Sequence, residues 1–168
     1  FRVSHEAWLQ NTKKAPEEVP TCRFWLYAPG RDASHWEEFL TKGLMGLGFD
    51  DVEDVAQYDS AEAVRIRLQK LHGDSKSHKN SVLACWEFYK SMKPGDIVFA
   101  KQGRHQLLGM GTIDSEYFYD TTRTDLQKMR KVKWNHHGNW DITGKATMPL
   151  KTLTEITGNK ELIHILKN

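Results

Sequence analysis

The chain has 168 residues, of which 39% are hydrophobic and 27% charged, with a formal net charge of +2; this is the make-up of one soluble globular domain and excludes a disordered or fibrous class. So mild a charge neither requires nor forbids a nucleic-acid partner, because a near-neutral total can conceal a one-sided basic face. No apolar run approaches the roughly 20 residues of a membrane span, and Cys22 and Cys85 lack the paired spacing of a zinc site or disulfide framework, so a reduced, cytoplasmic protein with no membrane partner is expected.

The chain begins on Phe1, has no charged-then-apolar leader, and ends on ELIHILKN, which suggests a segment of a longer protein. FRVSHEAWLQNTKK fits a short amphipathic helix through Val3, Ala7 and Trp8, and APEEVPT a linker. Residues 1–20 are therefore read as an N-terminal extension and 21–168 as the folded domain.

RFWLYA, residues 23–28, is an apolar and aromatic run stopped by Pro29 and Gly30, and predicts a buried first strand. In DASHWEEFLTKG, Ser34 is placed to cap a helix, with Glu37 as its capping-box partner. Trp36, Phe39 and Leu40 share one face, and Gly43 ends the helix. GLMGLG reads as a strand whose glycines admit a close neighbour, and DDVEDVAQY as a turn with a brief strand.

Two helices follow. One carries Ala61, Val64, Leu68 and Leu71 at helical spacing, and the other Val82, Cys85, Trp86 and Tyr89. The runs KPGDIVFAKQG, HQLLGMGTIDSEYFY and MRKVKWN then read as a β-meander. The tail gives a strand-like start and a helix capped by Asn159, with Leu162, Ile163 and Leu166 apolar.

Chemistry-bearing patterns are few. The stretch GLMGLGFDD, residues 43–51, reverses the order of a dinucleotide loop and lacks the Gly-Lys-Ser/Thr that holds phosphate and magnesium. His136 and His137 sit side by side in NHHGN, read as a solvated turn and not as metal ligands. Ser34 and His35 are adjacent, with no nucleophile elbow in sight. No catalytic residue, metal or cofactor is expected, and a binding module is the reading in place of an enzyme.

In order, FWLYAPG, HWEEF, GLMGLGFDDVEDV, MKPGDIV, LLGMGTIDSEYFYD and KVKW resemble the segments of EVE-like domains of the PUA/YTH superfamily. The likeness is in particular to modified-DNA-reading domains that precede McrB-type AAA+ GTPases in modification-dependent restriction systems. It covers roughly residues 22–142, with Phe49 standing where many relatives carry Trp. It implies an α+β fold, a twisted β-barrel of about five to six strands flanked by helices, with a pocket for a base flipped out of duplex DNA.

Extruding a base costs a few kcal/mol, which aromatic stacking at about 1–3 kcal/mol per base offsets. The expected pocket comprises Tyr27, Trp36, Phe49, Tyr117 and Tyr119 as rings and Asp50 as acceptor for an exocyclic amine. Trp36 reads equally as a core residue, and Trp25, Trp86 and Trp134 are assigned to the core. Phosphate contacts are expected from Lys101, Arg104, His105, Arg123 and Lys131, with Lys128, Arg130 and Lys133 nearby. The partners implied are double-stranded DNA carrying a modified base, a fused AAA+ motor and a separate nuclease. A reader of modified RNA and a protein-interaction module are the competing readings.

Overall fold

In a computed structural model, residues 22–73 and 77–168 are described; the expected N-terminal helix and linker lie outside them. The described residues form seven strands: β1 (Phe24–Tyr27), β2 (Leu44–Leu47), β3 (Ile97–Gln102), β4 (Gln106–Ile113), β5 (Phe118–Tyr119), β6 (Lys128–Asp141) and β7 (Leu153–Glu155). They join in one sheet of order β2-β6-β4-β3-β1-β7, with β5 beside β6. Within it β1 and β3 run parallel, while the other pairs are antiparallel.

The sheet is strongly curled. Strands β1 and β2 stand four steps apart, about 19 Å across a flat sheet. Yet the Tyr27 hydroxyl donates to Gly46 O at 2.5 Å and accepts from Gly46 N at 3.0 Å. One side chain bridges that gap only because the sheet folds back on itself. The ends β2 and β7 are not paired among the described residues, so the barrel is open on that side.

Helix α1 (Trp36–Lys42) packs Trp36 and Phe39 inward and ends at Gly43, whose φ of 68° is the left-handed cap that glycine adopts freely. Its expected capping box does not form: His35 is the N-cap and makes no side-chain cap bond, and Ser34 Oγ contacts the His35 ring instead. Helices α2 (Ala61–His72) and α3 (Lys79–Trp86), the latter running into a π-helical turn (Glu87–Ser91), cover the inner face of the sheet. Leu71, expected inward, is 42% exposed. Helix α4 (Lys160–Lys167), capped by Asn159, buries Leu162, Ile163 and Leu166 against Leu26 and Phe99 on the opposite face.

Three local expectations change. DDVEDVAQY forms two 3-10 turns and no strand. NHHGN lies inside β6, which extends to Asp141 because β4 continues to pair with it through two register shifts. The strand read through SEYFY is confined to Phe118–Tyr119, and Tyr117 precedes it.

Buried polar groups hold the layers together. Asp96, in the Gly-Asp turn before β3, accepts from Trp25 Nε1, Lys93 N and Arg23 N. Arg130 on β6 is fully buried and donates to the carbonyls of Phe88, Tyr89, Met92 and Ser115, closing off the π-helical turn. Its guanidinium fork suits four fixed carbonyls where a lysine head does not. No described helix is long and apolar enough to cross a membrane.

Candidate functional site

At the carboxyl ends of the parallel pair β1 and β3, the loop Ala28–His35 and the end of β3 with its turn, Lys101–Gly103, border a cavity of about 570 Å³. The carboxyl ends of parallel strands are where open sheets commonly receive ligands. The walls come from Gly30 to His35, from Gly46, Gly48 and Phe49 at the end of β2, and from Leu126, Leu150 and Thr152.

Phe49 lines the cavity and also packs against the hydrophobic core. Its backbone is left-handed (φ 56°, ψ 50°), a costly conformation for a phenylalanine. It is held from behind: buried Lys128 donates its Nζ to Gly48 O and Phe49 O, and Asp50 accepts from Leu126 N. Six non-glycine residues have positive φ among the described ones, and four of them, Asp32, Ala33, Phe49 and Leu126, line this cavity. Backbone strain concentrates where surrounding structure enforces a binding geometry.

Gly48 faces the cavity with room to spare. A Cβ built there would meet nothing within 4 Å, whereas at Gly46 it would meet Met129 Sδ, Leu126 O and Phe39 Cζ at 2.9–3.0 Å. Gly46 is therefore a packing glycine, and Gly48 leaves open space in the cavity lining next to Phe49 in the chain.

At the rim, Ser34 Oγ lies 3.3 Å from His35 Nδ1, and His35 Nε2 lies 3.1 Å from Asp125 Oδ2. The residue types are those of a nucleophilic triad. The amides that would hold an oxyanion are taken, since Ala33, Ser34 and His35 donate theirs to Gly30 O, Arg31 O and Pro29 O. The chain Ser34–His35–Asp125 is suited to orienting a polar ligand group.

Of the expected pocket rings, Phe49 alone lines the cavity. Tyr27 is fully buried, its hydroxyl is committed to Gly46, and burial drives its pKa strongly upward, so no face is left for a ligand. Trp36 packs edge-on to Trp134 at 4.8 Å, with its ring over Gly109. Tyr117 spends its hydroxyl on Asp54 and Val55 N and its ring on Phe88 and Tyr89. Tyr119 bonds Gln127. Asp50 stands outside the wall and anchors Leu126.

The basic residues also redistribute. Arg104 and Lys131 are exposed, and His105 contacts Thr147. Arg123 is a bidentate partner of Glu38 at 2.7 and 3.2 Å and lies over the Phe39 ring, so it is not free for a phosphate. Lys128 and Arg130 are buried and bind backbone carbonyls. Lys101 is 1% exposed and belongs to the cavity wall.

The contributions of Leu126, Leu150, Thr152 and the Ala28–His35 loop were not foreseen. Pro29-Gly30 was a visible turn signal, but nothing local in the sequence indicates that the loop before β7 returns to β1. No cluster of three or more His, Cys, Asp or Glu side chains able to hold a metal exists among the described residues.

Fold and site together define an α+β domain on one curled sheet, with a ligand-sized cavity at the ends of its parallel strands. Residues 25–157 match the family described as "Domain of unknown function (DUF8426)", and the chain belongs to that family. No curated protein matches the sequence.

Among solved structures, the YTH domain of the Zygosaccharomyces rouxii MRB1 protein, in complex with N6-methyladenosine RNA, is similar at 14% identity. It covers 87% of each chain with a TM-score of 0.47. The MmI1 YTH domain is similar at 9% identity, over 86% of this chain and 95% of that one, with a TM-score of 0.45. Protein Atu2648 from Agrobacterium tumefaciens is similar at 14% identity, over 87% and 92%, with a TM-score of 0.44.

Proposed function

We propose that this domain reads a modified base in nucleic acid by accepting it, flipped out of its strand, into the cavity beside Phe49. The observation that carries the reading is the Phe49 ring on a left-handed turn, clamped by Lys128 and Asp50, with the open flank of Gly48 next to it. A flat apolar face beside empty space suits a planar ring, and the polar rim of Ser34, His35 and Thr152 suits its edge.

The resemblance to EVE-like readers supports the finer reading. In it the polymer is double-stranded DNA, the base carries a small modification, and the domain delivers a fused AAA+ motor and a separate nuclease to modified sites. With Phe49 the one Phe, Tyr or Trp among the lining residues, apolar contact from Leu126 and Leu150 is the second face in this reading.

A binding panel tests this. One duplex carries N6-methyladenine, 5-methylcytosine or the plain base at the same position, with matched RNA alongside. Tighter binding to one modified duplex than to the plain one is expected. Phe49→Ala should weaken that binding about tenfold or more, as loss of one stacking contact implies. Equal affinity for modified and plain duplexes contradicts the reading; preference for the RNA replaces DNA with RNA as the polymer.

A further inference from the structure

The cavity wall contains a buried lysine that has no ion-pair partner among the described residues. Lys101, the fifth residue of β3, is 1% exposed. Among the described residues its ammonium donates one hydrogen bond, to Gly103 O at 3.2 Å, and takes part in no ion pair. Burial pushes its pKa down and neighbouring Arg104 pushes the same way. An ammonium carries three donors, so two are left over.

The other buried lysine among the described residues has more partners. Lys128 is equally buried, and burial lowers its pKa too, but it bonds two carbonyls and Asp50, Asp54 and Asp51 act against that lowering. An unpaired buried cation is costly to maintain and is replaced by an apolar side chain without loss where it serves only packing. Its presence in a cavity wall is accounted for if an electron-rich atom of the ligand completes it.

We infer that Lys101 is a specificity-determining residue of the cavity, donating from Nζ to an acceptor atom, a ring carbonyl or ring nitrogen, on the edge of the inserted base. This rests on the base-reading function proposed above. A backbone phosphate stays at the protein surface, whereas Lys101 belongs to the lining of the cavity. The inference therefore separates Lys101 from Arg104 and Lys131, which are exposed and able to meet phosphates.

The test uses Lys101→Met, which keeps the length and removes the donors, and Lys101→Gln, which keeps one polar head. Each is titrated with a duplex carrying one N6-methyladenine or one 5-methylcytosine, and with the same duplex bearing an abasic site. For the modified duplex that wild type prefers, Lys101→Met should bind about tenfold or more weakly, with Lys101→Gln intermediate. Abasic affinity and the slope of log K against log salt should be unchanged, and the melting temperature not lowered.

Equal losses on base-bearing and abasic duplexes, with the salt slope falling by about one, would make Lys101 a phosphate contact and overturn the inference. Unchanged affinity for the modified duplex would overturn it as well. If wild type itself binds base-bearing and abasic duplexes alike, the cavity reading fails first, and Lys101 with it.

Discussion

Single side chains divide cleanly between holding the fold and facing the cavity. Tyr27 reads from the sequence as a pocket ring, but its hydroxyl satisfies both polar groups of Gly46 deep in the core. Tyr27→Phe should therefore cost about 1–3 kcal/mol of stability, the penalty for stranding buried backbone groups, measured by denaturant unfolding. A fall well below that range contradicts the role assigned to the hydroxyl. Glu38 gives a pH signature. Its hydrogen bond to Arg123, then that to Lys42, lowers its pKa from 4.5 to about 2. A carboxyl with a depressed folded-state pKa contributes stability above its ordinary pKa, and that contribution is lost as pH falls from about 4.5 towards 2. Glu38→Gln should flatten the stability-against-pH curve in that window; an unchanged acid limb would show that the ion pair contributes nothing.

Whole elements were the most legible part of the sequence, because periodicity and turn residues act locally. FWLY, LMGL and IVFAKQ each became a strand, and the Asn159 cap began α4. What failed to show was long-range. β6 runs through NHHGN because β4 offers it a partner, which no feature of those five residues announces. The glycines of β4 are explained at this scale: a Cβ on Gly109 would stand 2.8 Å from the Trp36 ring and from His136 O. Gly109→Ala must push α1 off the sheet or bend β6, and should destabilise the fold by about 1–3 kcal/mol, read as a lowered denaturation midpoint. A neutral outcome would mean that Trp36 is not locked against β4.

At the scale of the molecule, the curl of the sheet brings the end of β2 to the ends of β1 and β3 and so makes the cavity. Phe49, read as a pocket residue because two glycines precede it and an acid follows, does line the cavity. Its companions were not legible as such, since Leu126, Leu150, Thr152 and Lys101 come from segments that only the closed topology brings together. Several cations expected at phosphates are instead internal struts, for burial is invisible in a charge count. Gly48 offers the most direct test of the central claim, because it lines the cavity and a Cβ there would meet no protein atom within 4 Å. The measurement is the affinity of Gly48→Leu for the modified-base duplex that wild type prefers, taken alongside its melting temperature. A retained melting temperature with preference for the modified base lost is the predicted result; undiminished preference in a folded Gly48→Leu protein would contradict it.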